Sequence, residues 1–284
     1  MHIPDRRVLH VQRASGIGGS ERHLLSLLPT LEARGWKSAI CVAVVEDGAR
    51  FVEALRSAGI ETVAFPAGPH VNPALAPKLL REIRRVRPDL VHTHLIHGDL
   101  YGQIAARLAG IPAVSSAHST LRFYRSEPYR SASRLAWRLA RRVIAISTWV
   151  ARFLVEVRLA TQERIRIVHY GIDAGSWALG AEDRIAARTA FGIASHEIAI
   201  GIASRLIPLK GHDSLLAAFH RAESRVPNLR LLIAGNGPLR ESLQAKARSE
   251  LPKSSVRFLG FIPDVPRFMS ACDVIVFPTL PELG

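Results

Sequence analysis

Two basic residues in the stretch SRLIPLKGHDSLLAAF, at 204–219, could hold a phosphorylated ligand. Arg205 and Lys210 lie in a loop that follows an apolar strand-like run and precedes a helix-like segment. The free N–H groups at a helix N-terminus favour an anion, and two nearby cations suit a diphosphate. Pro208 and Gly211 restrict the loop, although most Lys and Arg side chains are only solvated surface charge. The pattern predicts a diphosphate site in this loop.

A second candidate site is the glycine-rich loop RASGIGGSERH at 13–23, which follows the first strand-like run and opens the first helix. Gly16, Gly18 and Gly19 would let the backbone approach a ligand closely, and the helix start would offer N–H groups to an anion. The spacing differs from the GxGxxG dinucleotide fingerprint. A tight turn between strand and helix explains these glycines equally well.

Histidines cluster in VHTHLIHGD, at 91–99. His92 and His94 share a strand face and His97 follows closely, so three imidazoles could bind zinc. No cysteine joins the cluster, and histidine is often a packed or cleft-lining residue. No Asp-x-Asp metal motif is evident either. We therefore expect no metal site.

A strongly basic segment, RFYRSEPYRSASRLAWRLARR at 122–142, carries seven arginines against one acid, Glu127. Four of the arginines recur every four residues, so a helix would present them on one face. They are Arg130, Arg134, Arg138 and Arg142. A basic helix with aromatic neighbours such as Trp137 suits an anionic membrane surface or a lipid-diphosphate acceptor. A solvated helix beside the core explains the charges equally well.

The elements that must position these residues alternate along the chain. Strand-like runs occur at 7–12, 38–45, 62–65, 90–94, 113–118 and 143–147, and again at 198–204, 229–235, 256–261 and 274–277. Helix-like segments lie between them; the first, at 20–35, begins at the N-cap candidate Ser20 and ends at Gly35. Such alternation predicts an α/β fold with mainly parallel, doubly wound sheets.

The alternation pauses at 174–196, which is polar, rich in alanine and without a strand-like run. This predicts two Rossmann-like domains, 1–173 and 197–284, joined by a linker region. The second domain is shorter than such a domain usually is, so we expect it to be incomplete.

Composition limits the class of protein and its location. The chain has 284 residues, of which 48% are hydrophobic, so it is globular rather than disordered. No apolar run reaches the length of a membrane span or of a signal-peptide core, which predicts a cytoplasmic protein. Cys41 and Cys272 are expected to be reduced core residues. The formal net charge of +14 indicates an anionic partner, namely nucleotide, nucleic acid or lipid.

Five segments, taken in order, resemble the retaining glycosyltransferases of family 4, which have the GT-B fold. They are GGSERH (18–23), SRLIPLKGHD (204–213), LLIAGNGPLRESL (231–243), VRFLGFIPDVP (256–266) and ACDVIVFPTLPE (271–282). The resemblance runs from about residue 7 to the chain end. It implies that a sugar is transferred from a nucleotide diphosphate donor in a cleft between two Rossmann-like domains.

The resemblance also assigns roles to residues. Arg205 and Lys210 would hold the donor diphosphate, where fixed cations lower the barrier as negative charge develops on the leaving group. His118 would hydrogen-bond the transferred sugar. The donor pocket would be lined by Gly18 and Gly19 from the first domain and by Gly235, Gly237 and Phe261 from the second. Because Arg and Lys can replace a metal ion here, no metal cofactor is expected.

The acceptor is expected to be a glycan or a lipid-linked molecule, in the assembly of cell-envelope polysaccharide or glycolipid at the inner face of the membrane. Two alternatives remain open. A nucleotide-sugar epimerase or hydrolase could have the same fold, and it would turn over without an acceptor. A basic nucleic-acid-binding protein is the other, but no helix-turn-helix, RNP or zinc-finger pattern is present.

The last segment, DVIVFPTLPELG at 273–284, raises a separate expectation. In the family the loop after this strand begins a Glu-x7-Glu motif, whose acids hold the sugar and ribose hydroxyls of the donor. Glu282 is expected to be the first acid or to lie just before it. Both positions stay open because PELG differs from the Glu-Gly-Phe-Gly sequence that is commoner in the family. The second acid is missing from the sequence. We therefore expect this chain to be part of a longer enzyme and to transfer little sugar by itself.

Overall fold

The computed structural model describes residues 6–68, 72–120, 122–251 and 255–280. The chain forms two compact units, Met1–Ile172 and Asp173–Leu283. Each unit contains one parallel sheet with helices between successive strands. The prediction of an α/β fold with doubly wound parallel sheets is confirmed.

The first unit has seven described strands. These are β1 (Arg6–Ala14), β2 (Trp36–Val44), β3 (Glu61–Pro66), β4 (Leu90–His94), β5 (Ala113–Ala117), β6 (Arg142–Ala145) and β7 (Ile165–Ile167). Its helices are α1 (Gly19–Ala33), α2 (Ala49–Ser57), α3 (Leu75–Val86), α4 (Leu95–Ala109), α5 (Tyr129–Leu139) and α6 (Thr148–Glu156). The strand order is β3-β2-β1-β4-β5-β6-β7, so the direction of winding reverses between β1 and β4.

Different helices cover the two faces of the first sheet. Leu9 and Val11 of β1 belong to a buried cluster with Ile83 of α3 on one face. On the other face, Ile40 of β2 belongs to a buried cluster with Leu24 of α1. The sheet is therefore buried on both sides, as parallel sheets normally are.

The second unit has four described strands, β8 (Ile198–Ala203), β9 (Leu229–Ala234), β10 (Val256–Gly260) and β11 (Val274–Ile275). Its helices are α7 (Ala181–Ala190), α8 (His212–Glu223), α9 (Arg240–Glu250) and α10 (Val265–Ala271). The order β10-β9-β8-β11 reverses between β8 and β11. The last strand is shorter than the run 274–277 that we predicted, although Val276 still donates its N–H to the carbonyl of Gly201 at 2.9 Å.

The stretch 174–196, predicted as a linker region, carries helix α7 and belongs to the second unit. Arg184 and Arg188 of this helix contact the carboxylate of Asp273, at 2.6 and 3.0 Å. The same carboxylate accepts the N–H of Ala199 at the start of β8, at 2.7 Å. Charged side chains therefore attach α7 to the second sheet. The sequence did not indicate this attachment, because we inferred a linker only from the lack of a strand-like run.

The basic segment at 122–142 differs from its prediction at one position. Helix α5 ends at Leu139, because Ala140 takes an extended conformation and Arg141 donates its N–H to the carbonyl of Ala113 at 2.8 Å. Arg142 is therefore the first residue of β6. The prediction that Arg142 shares a helix face with the other arginines is wrong.

Two further predictions concern the cysteines and membrane-spanning segments. Cys41 and Cys272 are free and buried, as predicted. No described helix combines the length and the apolar character that a membrane crossing needs.

Candidate functional site

The carboxyl ends of β1, β4 and β5 bring polar residues together at the point where the first sheet reverses direction. Gln12 pairs in register with His94, and His94 pairs with Ser116. His118 follows β5 directly. Ligands of open α/β sheets bind outside the carboxyl ends of strands at such a reversal. This edge is therefore the candidate site of the first unit.

The glycine-rich loop at this edge is organised by Glu21. The buried Glu21 carboxylate accepts the N–H of Gly18 at 3.0 Å, an amide hydrogen of Gln12 at 2.6 Å and the hydroxyl of Ser20 at 3.0 Å. Gly18 is the N-cap of α1, so the prediction that Ser20 caps the helix is wrong. A Cβ on Gly18 would lie 3.1 Å from the Glu21 carboxylate, whereas Gly19 faces open space.

His118 is held by two partners in the first unit. Its Nε2 lies 3.0 Å from Nδ1 of His94, and its Nδ1 contacts the hydroxyl of Tyr170. Burial lowers the pKa of His118 to about 3, so the ring is neutral at neutral pH. A sugar hydroxyl that bound to this ring would have to replace one of the two partners.

The hydrogen bonding continues into the sheet. Nε2 of His94 lies 3.1 Å from Nδ1 of His10, and both side chains are fully buried. Burial lowers the pKa of His10 to about 3 and holds those of His92 and His94 well below the ordinary value. These rings are therefore neutral imidazoles at neutral pH.

The structure changes the membership of the histidine cluster. His97 contacts a guanidinium nitrogen of Arg13 at 3.0 Å instead of joining His92 and His94. His10 takes its place, and His10, His92 and His94 offer ligand atoms that lie within 4.8 Å of one another. Hydrogen bonds already use the facing nitrogens of His10 and His94, and Nε2 of His92 lies 2.8 Å from the Ser116 hydroxyl.

In the second unit, Arg205 and Lys210 lie in the loop after β8, beside the start of α8. Neither side chain has a hydrogen-bond or ion-pair partner in the part of the chain that the structure describes. Gly211, the N-cap of α8, has φ 67°, and a Cβ there would meet the Pro278 carbonyl at 2.0 Å. The loops after β8 and β11 therefore pack closely where the second sheet reverses direction.

Gly235 and Gly237, predicted to line a ligand pocket, have a packing role in the structure. A Cβ on Gly235 would lie 1.9 Å from the Ser204 carbonyl oxygen, and one on Gly237 would lie 2.4 Å from that of Leu206. The N–H of Leu206 also donates to the carbonyl of Asn236 at 2.9 Å. The backbones of the loops after β8 and β9 are therefore in direct contact, and only glycine leaves room for this approach. Both glycines lie at the same edge of the sheet as Arg205.

Two further predicted residues belong to the second unit. Phe261 follows β10 and is 63% exposed, so its ring is open to a ligand. Glu282 lies outside the described residues. Sequence reasoning missed His212, which is buried at the start of α8 with Nε2 3.2 Å from the Ser204 hydroxyl.

Sequence reasoning also missed four residues of the first unit, His10, Gln12, Glu21 and Tyr170. His10 and Gln12 are polar residues at alternate positions of an apolar strand, a signal that could have been used. Tyr170 lies 52 residues from His118, and no local pattern connects them.

A basic surface surrounds α5. The residues of this arginine groove are Arg125, Arg130, Arg134, Arg138, Arg158 and Arg164. They line two adjoining clefts, the larger with a volume of about 850 Å³. Glu127 and Glu156 each pair with one arginine of the groove, at 3.1 and 3.2 Å. Glu163 also lines the larger cleft, but the six arginines outnumber these three glutamates, so the positive charge of the groove exceeds its negative charge.

Comparison with known proteins identifies related chains. Residues 17–175 match the family described as Glycosyltransferase Family 4, and residues 183–282 match the family described as Glycosyl transferases group 1. The putative glycosyltransferase EpsF of Bacillus subtilis (strain 168) is 28% identical over 295 residues, which cover 99% of this chain and 75% of the relative. The UDP-Gal:alpha-D-GlcNAc-diphosphoundecaprenol alpha-1,3-galactosyltransferase of Escherichia coli is 23% identical over 215 residues, covering 72% of this chain and 55% of that protein.

A solved structure agrees in fold. Anabaena HepE in complex with UDP-glucose matches with a TM-score of 0.81 and 24% identity, over 97% of this chain and 75% of that one. The match to Glycosyltransferase Family 4 covers more than half of the chain. The expected GT-B glycosyltransferase fold is confirmed. The chain therefore belongs to glycosyltransferase family 4.

Proposed function

We propose that this protein transfers a sugar, with retention, from a nucleotide diphosphate sugar to a glycan or lipid-linked acceptor. The observation that carries the proposal is a pair of cations beside the N-terminus of α8, Arg205 and Lys210, whose side chains have no partner among the described residues. Negative charge develops on the diphosphate as the sugar leaves, and preorganised positive charge stabilises it. Each such partner typically contributes roughly 3 kcal/mol of transition-state stabilisation.

The comparisons support this class of donor. HepE was solved with UDP-glucose, and the name of the E. coli relative specifies a UDP-sugar. The proposed reaction needs no metal ion, because two side-chain cations can supply the positive charge that a metal would otherwise provide.

The first unit would contribute contacts to the transferred sugar. His118 has a neutral imidazole, which can donate one hydrogen bond and accept one. The open space beside Gly19 leaves room for a polar ligand group at the N-terminus of α1, where N–H groups favour an anion or hydroxyl oxygen.

The arginine groove is the candidate surface for the acceptor. Its excess positive charge suits a lipid diphosphate or an anionic membrane, and the E. coli relative is named for a diphosphoundecaprenol-linked acceptor. We infer a role in cell-envelope polysaccharide or glycolipid synthesis at the inner face of the membrane.

The test is a thermal-shift screen against UDP-, GDP-, ADP- and dTDP-sugars, because a ligand that binds the native state raises Tm. A nucleotide sugar that raises Tm is then offered with candidate acceptors, and acceptor-dependent release of the nucleoside diphosphate is expected. Turnover without any acceptor would instead indicate an epimerase or a hydrolase. Stabilisation by duplex DNA but by no nucleotide sugar would favour the nucleic-acid alternative.

A further inference from the structure

Four side chains of the first unit form one continuous series of hydrogen bonds, which we call the imidazole chain. It runs from the hydroxyl of Tyr170 to Nδ1 of His118, and from Nε2 of His118 to Nδ1 of His94 at 3.0 Å. It ends with Nε2 of His94, 3.1 Å from Nδ1 of His10. Strands β1 and β4 carry its inner end, and Tyr170, which is half-buried, lies in the segment after β7.

The protons of this chain can be arranged in only two ways. A neutral imidazole has one N–H and one lone pair, so each ring donates on one side and accepts on the other. If Tyr170 donates, every bond points towards His10, and Nε2 of His10 carries the last N–H. If His10 donates from Nδ1, every bond points towards Tyr170, and Nε2 of His10 carries a lone pair and no hydrogen.

The environment of His10 distinguishes the two arrangements. Among the described residues, Nε2 of this fully buried ring has no hydrogen-bond partner. A buried N–H without an acceptor is rarer in proteins than an under-used lone pair. The favoured arrangement therefore has His10 donating to His94 and His94 donating to Nε2 of His118. His118 is then left with its own N–H on Nδ1.

We propose that His94 and His10 are positioning residues that hold His118 in its Nδ1–H tautomer, so that His118 presents an N–H donor to the transferred sugar. Nε2 cannot serve the sugar, because it faces Nδ1 of the buried His94 at 3.0 Å. Nδ1 can, if a sugar hydroxyl takes the place of the half-buried Tyr170. The role towards the sugar rests on the proposed function, whereas the tautomer is a property of the protein alone.

The tautomer is measured by two-bond ¹H–¹⁵N spectra of the full chain labelled with ¹⁵N-histidine, with His118→Gln used to assign the His118 signals. The wild-type protein is expected to show Nδ1–H at His118. In His94→Leu the donor to Nε2 is lost, so the ratio of Nδ1–H to Nε2–H should fall about fivefold. His94→Asn places an amide donor near the original Nδ1 and should keep the wild-type ratio.

A matched control is His92→Gln, a half-buried histidine on the same strand that lies outside the imidazole chain. Its amide can still reach the Ser116 hydroxyl, which His92 contacts at 2.8 Å, so the His118 ratio should not change. An Nε2–H tautomer at His118 in the wild type would overturn the proposal. So would an unchanged ratio in His94→Leu, or a zinc ion that copurifies with the protein and is ligated by His10 and His94.

Sugar transfer by the same variants tests the second half of the proposal. Transfer should fall in His94→Leu and persist in His94→Asn if the donor at Nδ1 serves the sugar. Equal transfer by both variants, with the expected tautomers, would overturn the role towards the sugar. Donor affinity replaces transfer as the readout where the wild-type protein binds a nucleotide sugar but transfers little of it. If no nucleotide sugar raises the Tm of the wild-type protein, the proposed function fails, and the spectra alone still decide the positioning role.

Discussion

Arg205 and Lys210 carry positive charges for which the described residues supply no anion. Both belong to one short loop beside the N-terminus of α8, whose N–H groups also favour negative charge. The described part of the second unit supplies no anion that could pair with all these groups together, and a diphosphate has the charge and the oxygen atoms to do so.

Replacing either cation with alanine is expected to weaken the binding of nucleoside diphosphates by roughly tenfold or more, since a hydrogen bond to a charged group contributes about 1.5–3 kcal/mol. Binding of the uncharged nucleoside should change little. Isothermal titration calorimetry of Arg205→Ala and Lys210→Ala measures both affinities. Arg248→Ala, an exposed arginine of α9, is the matched control. Unchanged diphosphate affinity in both variants would remove the site from this loop.

At the scale of elements, α7 depends on one carboxylate. Asp273 contacts Arg184 and Arg188 of α7 and accepts the N–H of Ala199 in β8. Burial alone would raise the pKa of Asp273, but the Ala199 N–H and the two arginines together hold it below its ordinary value. The carboxylate therefore joins a helix, a strand and the end of α10 in one unit.

Asp273→Ala is expected to lower the free energy of unfolding of the second unit by about 2 kcal/mol, because it leaves partly buried arginines and a backbone N–H without their acceptor. Urea denaturation measures the loss. The difference from wild type should shrink as the pH falls below about 4, since a carboxylate with a lowered folded-state pKa stabilises only while ionised. Asp213→Ala removes an exposed pair with Lys246 and should cost less than about 1 kcal/mol. Equal losses in both variants would contradict the anchoring role.

The arginine groove is a second element-scale feature, because α5 presents three of its arginines on one face. The double variant Arg134→Glu with Arg138→Glu is expected to weaken binding to anionic vesicles at least about tenfold at low salt, since each cation near such a surface contributes about 1 kcal/mol.

Vesicle co-sedimentation measures this binding, and raising the salt concentration should reduce it through screening. The control Arg221→Glu with Arg248→Glu changes the net charge equally but acts on exposed residues of α8 and α9. If both double variants lose the same amount, net charge and not the groove explains the binding. If neither loses any, the groove is only solvated charge.

At the scale of the molecule, the first unit contains buried and half-buried histidines that are neutral when folded. Burial lowers the pKa values of His10 and His118 to about 3 and those of His92 and His94 well below the ordinary value. Burial also raises the pKa of Asp99 to about 6, which acts in the opposite direction. The four imidazoles outnumber this one carboxyl, so the unfolded chain takes up more protons in mild acid.

Stability should therefore be complete above about pH 6.5 and fall as the pH drops towards 3, because the unfolded histidines titrate near 6.5 and the folded ones do not. The expected slope near pH 5.5 is on the order of 3 kcal/mol per pH unit. Urea denaturation at several pH values between 8 and 5 measures it. His10→Gln should reduce the number of protons taken up on unfolding by about one and make the slope correspondingly shallower. A free energy of unfolding that does not change between pH 7 and 5 would contradict the prediction.

The sequence by itself determined the two parallel sheets, the reduced cysteines and the place of Arg205 and Lys210 in a loop after a strand. These features depend on local patterns, because the period of apolar residues and the residues that start a helix act over a few positions. The ordered motifs also identified the family, since they extend over most of the chain.

Only the tertiary structure decided which residues meet. His10 faces His94 because β1 and β4 are neighbours in the sheet, and Tyr170 reaches His118 from the segment after β7. The close approach of Gly235 to the Ser204 carbonyl likewise depends on two loops that are distant in sequence. The order and register of strands are set by the burial of all the helices and strands together, so no short stretch of sequence contains this information.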